Sequence, residues 1–168
     1  FMTSRYDTTT GQAIRLEDRI GFLDRKLRVV NENNDNHDNW IKGAVMAYQN
    51  CLAYEWQGDN LLLARESLLY AFIDNYEYKF GESPTHELLK QIADIISWNI
   101  WQMDGLKCVV PNSCHDVITH NLYGEEERKT CPGCKANNIH MHNGIPVLIK
   151  SFQSGNTYPY HLLLNNKQ

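Results

Sequence analysis

The sequence predicts an α+β protein, with an N-terminal bundle of about four helices over 1–106 and a C-terminal zinc-stapled, β-rich module over 107–168. Three observations point there. Apolar residues recur at spacings of three and four as far as Ile100, the signature of helices buried along one face. Beyond Gly105 that period gives way to short β-like runs broken by proline and glycine. The same stretch concentrates Cys108, Cys114, His115, His120, Cys131, Cys134, His140 and His142, whereas the preceding chain holds only Cys51, His37 and His86.

The helical elements follow in order. Asp7-Thr8-Thr9-Thr10-Gly11 reads as a cap that leads into a first helix, and Leu16, Ile20, Leu23, Leu27 and Val30 fall on an a/d seam suited to a helix pair. Exposure of that seam would make the protein a homodimer. The Asn- and Asp-rich stretch 31–39 is a loop. A second helix begins near Trp40, with Ile41, Ala44, Val45, Tyr48 and Leu52 on one face. After an interruption at 55–59, Asp59 or Asn60 caps a third helix through Leu62, Leu69, Phe72, Ile73 and Tyr76, which Gly81 closes. Ser83-Pro84 supplies a cap and a first-turn proline for a fourth helix through Leu88, Ile92, Ile95 and Ile100, ended by Gly105. Trp98 and Trp101 near its end are expected in the core.

The tail is expected to be strand and turn. Ile139 to His142 would pair with Val147-Leu148-Ile149 across a tight Asn143-Gly144 turn, and a last strand would run from Tyr158 to Leu164. Within it, Cys131-Pro132-Gly133-Cys134 offers two thiolates from one turn, the usual half of a tetrahedral zinc site. Cys114, seventeen positions earlier, and His142 complete the expected set, with His140 as the alternate fourth ligand because both histidines would share one strand face. Cys51 and Cys108 read as small buried residues. Four protein ligands leave no place for an activated water, so the expected ion is structural Zn2+. A redox role for the Cys-x-x-Cys pair would require it to open a helix in a βαβ unit, and here a strand is expected to follow.

Composition narrows the function classes. With 42% apolar and 21% charged residues, the 168-residue chain has the balance of a folded protein rather than a disordered one. No apolar run is long enough to span a bilayer and no leader is evident, so no membrane is expected and the cytoplasm is the expected compartment. Phe1 ahead of Met2 reads as a vector remnant before a native initiator, hence a short independent gene product. The clustering of cysteines with histidines suits metal in a reducing compartment better than disulfides. A net charge of −4 opposes bulk capture of nucleic acid, although Arg15, Arg19, Arg25, Lys26 and Arg28 on the first helix form a candidate contact face for phosphate or a partner. Phosphate loops, dinucleotide fingerprints, nucleophile elbows and His-Glu-x-x-His helices do not occur. The zinc deaminase pattern fails because His120 is not followed by the required Glu, and a His-Asn-His nuclease would need a helix where Ile145 to Leu148 reads as strand.

Thr3-Ser4-Arg5-Tyr6-Asp7, the stretch from Tyr54 to Arg65, the stretch from Ile96 to Leu106, and His142-Asn143-Gly144-Ile145 resemble a family carried by phages and mobile elements of gut Firmicutes. Similar segments occur within adenine DNA methyltransferases of restriction–modification systems. The resemblance covers most of the chain. Asn-Pro-Pro-Tyr and a glycine-rich site for S-adenosylmethionine do not occur, so the resemblance implies an accessory part without the catalyst. From it follows the expectation of a non-catalytic anti-defence protein that binds a protein or nucleoprotein target such as a CRISPR RNA-guided nuclease. A DNA-binding accessory of restriction–modification and a zinc-ribbon nuclease are the alternatives.

Overall fold

The computed structural model of the chain describes residues 2–120 and 122–165. Phe1, and the vector-remnant reading with it, lies outside the described residues. The described residues form five α-helices and three two-stranded sheets, an α+β protein with its helices mostly first and its strands mostly last. The chain divides into two compact units, Phe1–Ala53 with Leu62–Ile100 and Tyr54–Leu61 with Trp101–Gln168. The boundary expected at 106/107 therefore falls inside the second unit. Trp101 and Met103 belong to that unit's core, and the Met103 N–H donates to the Glu55 carbonyl at 3.0 Å.

In the first unit the opening helix is shorter than the seam predicts. Asp7 does not lead into a helix; its carboxylate accepts the N–H groups of Thr9 and Thr10 at 3.0 and 2.7 Å, making a turn that Gly11 completes at φ +70°. A 3-10 turn at Leu16–Asp18 follows, and α1 spans only Phe22–Asn33. Leu23, Leu27 and Val30 are buried while Ile20 is 75% exposed. Leu23, Leu27 and Val30 of the seam are thus spent inside the unit, and Ile20 is the seam position left exposed.

Helix α2, His37–Gln49, starts earlier than its apolar face suggests because the Asn36 side chain caps it, accepting from the Asn39 N–H at 3.1 Å. A short strand, β1 at Ala53–Glu55, and helix α3 at Gly58–Phe80 follow. Gly81 ends α3 at φ +71°, donating to the Glu77 carbonyl. Helix α4, His86–Asn99, is capped by Thr85 rather than by Ser83; the Thr85 hydroxyl accepts from the Leu88 N–H. It stops before Gly105 because Ile100–Gln102 leaves as β2 to pair with β1.

Aromatic residues fill the centre of this unit. Trp40 packs on Phe72, Tyr76 and Phe80 with ring centroids 5.7, 5.6 and 5.4 Å away, and Tyr48 meets Phe72 at 5.9 Å. Each buried polar tip finds an acceptor: Trp40 Nε1 donates to Asn31 Oδ1 (2.7 Å), and the Tyr48 hydroxyl donates to the Leu68 carbonyl (2.7 Å). Asn99 closes the end of α2, its amide donating to the carbonyls of Tyr48 and Gln49. The N-terminal segment is held by Asp74, which receives Arg5 at 2.9 Å and the buried Arg19 at 2.7 Å.

The second unit has little apolar interior. Its core comprises Trp101, Met103, Cys108 and Val147, flanked by Val110, Ile139, Ile149 and Tyr160. Hairpin β3–β4, Val117–His120 and Glu126–Lys129, pairs antiparallel from Val117↔Lys129 to His120↔Glu126 and was not apparent from the sequence. Helix α5 spans Pro132–Ala136. Strand β5, Leu148–Lys150, pairs with β6, Thr157–Pro159, and the expected last strand turns instead into a 3-10 helix at Tyr160–Asn165. Trp101 is buried as expected, while Trp98 is half-buried. No described helix is long and apolar enough to cross a membrane.

The Asp74 cluster sets a stability test. Asp74→Ala leaves the buried Arg19 charge without its carboxylate partner and should lower the unfolding free energy by about 3 kcal/mol, read as a lower urea midpoint at unchanged slope. Burial alone would raise the Asp74 carboxyl, but the hydrogen bonds and charges of Arg5 and Arg19 outweigh it and hold it below its ordinary value. The native form therefore binds its proton less readily than the unfolded chain. This contribution is complete above the ordinary carboxylate range and is lost as pH falls through the lowered native value, so Asp74→Asn should flatten that part of an acid titration of stability.

Candidate metal centre

The centre is assembled from two stretches of chain that the local backbone forces together. Cys131 stands at the N-cap of α5 with Pro132 in the first turn, a placement that suits proline because the first helical N–H groups have no intrahelical acceptor. Asn137 ends the helix in the left-handed region at φ +49°, and the chain doubles back through hydrogen bonds from Asn138 N–H to the Gly133 carbonyl and from Gly133 N–H to the Met141 carbonyl. His142 is thereby laid across Gly133. A Cβ at Gly133 would lie 2.5 Å from the His142 nitrogen, so only glycine fits.

A second clamp delivers Cys114. The Asn143 side chain spans the backbone of His115, accepting its N–H at 3.2 Å and donating to its carbonyl at 2.7 Å. The Ser113 hydroxyl donates to the Val110 carbonyl and accepts from the Ile145 N–H. Gly144 is needed for the same approach, since a Cβ there would meet Ser113 Oγ at 2.5 Å. Asn143-Gly144 is consequently not a hairpin turn. Residues 139–142 form no strand, and the argument that placed His140 and His142 on one face falls with it.

These folds bring Cys114, Cys131, Cys134 and His142 together, with one donor atom from each lying within 4.8 Å of the others, a geometry that could bind a metal ion. His142 Nδ1 is 3.5 Å from Cys114 Sγ and 3.7 Å from both Cys131 Sγ and Cys134 Sγ. With bonds of about 2.3 Å to sulfur and about 2.0 Å to nitrogen, a tetrahedral zinc ion would hold sulfur and nitrogen about 3.5 Å apart. The donor set therefore fits zinc in both chemistry and spacing. Among the described residues this is the only such group of His, Cys, Asp and Glu donors. His140 lies outside it, exposed and stacked edge-on to His161 at 5.3 Å. Cys51 and Cys108 are buried elsewhere.

The thiols are held unequally. Burial pushes the Cys131 thiol up, but N–H groups of Asn143, Cys134 and Gly133 and the His142 ring more than offset this and bring it down to about 6. The Asn143 N–H points at Cys131 Sγ from 3.4 Å. Cys114 goes the other way, to about 11, first through burial and then through the neighbouring sulfurs of Cys131 and Cys134. One thiolate is ready-made, and further negative charge in so small a space calls for a cation. The Lys107 ammonium is stabilised chiefly by Cys134. Sequence reasoning missed the supporting roles of Gly133, Asn143 and Gly144; the Asn-Gly pair was the signal, and its turn reading concealed a clamp.

The argument against a redox pair also needs correction. Cys131-Pro132-Gly133-Cys134 does open a helix, the five-residue α5, rather than lead into a strand. What separates it from a dithiol site is the convergence of Cys114 and His142 on the same point, for which a two-cysteine couple has no use.

The cationic face expected on the first helix is dispersed. Arg19 is buried against Asp74, Arg15 is paired with Asp18 at 2.8 Å, and Arg28 donates to the carbonyls of Glu17 and Arg19. Arg25 and Lys26 remain, lining an open groove of about 630 Å³ with Phe22, Val29 and Met46. Lys26 Nζ sits 5.0 Å above the Phe22 ring. No protein-family model, curated protein or solved structure matches this chain, so its reading rests on the geometry of the metal centre and on the resemblance noted in its sequence.

Proposed function

We propose that this chain is a non-catalytic binding protein whose second unit is folded around one structural zinc ion held by Cys114, Cys131, Cys134 and His142, and that it acts by engaging a DNA-handling machine of the host. The observation that carries the structural half is the convergence of three sulfurs and one imidazole nitrogen within 4.8 Å, with sulfur–nitrogen distances of 3.5 to 3.7 Å. Four protein donors fill a zinc sphere, which supports a scaffold rather than a site that activates water. The thin interior of the unit supplies the need for it.

The target is read from charge and resemblance. The net charge of −4 and the exposed acidic run Glu125 to Glu127 beside exposed Leu122 and Tyr123 favour a partner that offers a cationic, nucleic-acid-binding channel. An anti-defence role against a CRISPR RNA-guided nuclease is the leading reading. The second reading, a DNA-binding accessory of a restriction–modification system, draws on the resemblance to segments of adenine DNA methyltransferases and on the exposed Arg25.

Two measurements test these statements. Elemental analysis of the purified chain should return one zinc per molecule. Cys131→Ser or His142→Ala should abolish it while the far-ultraviolet helical signal of the first unit persists; full-strength folding of the second unit without metal would overturn the structural reading. In cleavage assays across a panel of CRISPR nucleases, stoichiometric chain should suppress at least one activity, and zinc-free protein should not. Inhibition of none, combined with a gel shift whose salt dependence falls by about 0.9 in log–log slope per phosphate contacted, would favour the accessory reading instead.

A further inference from the structure

Helices α1 and α2 pack closely and leave a groove open along their line of contact. At that line α2 places Gly43, where a Cβ would stand 3.2 Å from Val30 Cγ1, a position with little room for a side chain. The buried Val30 and Ala47 complete the floor. Phe22 and Val29 on α1 and Met46 on α2 are 44%, 57% and 61% exposed and form the walls of a channel of about 630 Å³. Small residues below and large apolar ones on either side make a concave trough between two helices, the form in which an amphipathic helix is received along one face.

The charge of this trough has one sign and one side. Arg25 and Lys26 stand on the α1 bank, and no acidic residue lines the groove. Other cations of the same stretch are consumed, Arg15 by Asp18 and Arg19 by Asp74. Lys26 Nζ instead rests 5.0 Å from the centre of the Phe22 ring, which holds the ammonium at the apolar wall. The α2 bank is uncharged, with Met46 and Asn50. Unspent positive charge beside exposed apolar surface is thus local to this groove, in a chain whose net charge is −4.

We infer that the groove docks an acidic amphipathic helix of a partner protein. Its large apolar side chains, at i, i+3, i+4 and i+7, would lie over Gly43 and Ala47, and its carboxylates would run along the flank that faces Arg25 and Lys26. Met46, unbranched and flexible, adapts to the side chains it meets. A phosphate backbone offers nothing to Phe22, Val29 and Met46, and a bilayer receives a ridge rather than a trough. An acidic helix answers both the concave apolar floor and the one-sided charge. The site lies within the first unit and does not rest on the metal centre or on the target proposed above.

The test uses the full chain and two fluorescein-labelled helical peptides that share one leucine stripe. One carries glutamates along one flank and the other along the opposite flank, so that both directions of docking are offered. Fluorescence anisotropy should show saturable binding of at least one, and its counterpart with lysine in place of glutamate should not bind. Arg25→Glu combined with Lys26→Glu should weaken the acidic peptide by about tenfold or more and create binding of the lysine counterpart, a reversal that an unfolded variant does not give. Met46→Glu, at an exposed position, should abolish binding with the helical circular dichroism signal unchanged. Failure of both acidic peptides, equal binding of the lysine counterpart, or indifference to these substitutions would overturn the assignment. So would another occupant: sedimentation with phosphatidylserine vesicles, retention of duplex DNA or self-association of the chain, lost in Met46→Glu while neither peptide binds.

Discussion

Three sulfur atoms and an imidazole nitrogen gathered within 4.8 Å create an electrostatic problem that governs the second unit. A single thiolate is easily held, as the N–H groups around Cys131 show. Each further one must form beside the first, and Cys114 is pushed up to about 11, first by burial and then by the neighbouring sulfurs of Cys131 and Cys134. A divalent cation held by Cys114, Cys131, Cys134 and His142 would supply the positive charge that offsets this repulsion. Gly133 and Gly144 each accept contacts that any side chain would forbid, which lets the two stretches approach. Those glycines cost conformational entropy on folding, and the coordination bonds are the natural offset.

The first unit solves its own stability by ordinary means. A Trp40-centred aromatic core fills it, and its buried polar tips are consumed by Asn31, Leu68 and Asn99. Arg19 illustrates how a residue changes meaning on folding. On a helical wheel it decorates a cationic face; in the structure it is a buried anchor that ties the segment after the N-terminal turn to α3 through Asp74. Charge in a sequence thus marked a face only where the chain left it unpaired.

The sequence was most legible where one interaction decides the outcome locally. The α2, α3 and α4 helices follow from their apolar spacing, and the Cys-x-x-Cys knuckle follows from coordination chemistry. Their edges were less legible, because Asn36 and Thr85 cap by side-chain hydrogen bonds that compete with equally plausible neighbours such as Ser83. Asn143-Gly144 was misread for a long-range reason: the partners that convert it from turn to clamp, Ser113 and His115, lie about thirty positions away. His142 joins the donor cluster although the strand used to place it does not exist, so its position there owes more to residue chemistry than to the secondary structure inferred around it.

The placement of hairpin β3–β4 extends the consequence of the metal centre beyond its own ligands. The hairpin occupies the chain between Cys114 and Cys131, so both of its ends lead into the same site. A lone two-stranded ribbon is marginal in water, and this one is largely exposed along both strands. Closing its ends on one point removes much of the freedom of the sixteen intervening residues in the unfolded chain, a gain of the kind a cross-link provides. The exposed acidic and apolar residues near its tip would then be presented from a fixed base instead of from a loose loop. A structural ion bound here would be more than a substitute for a missing core, because it would fix where this exposed hairpin is anchored.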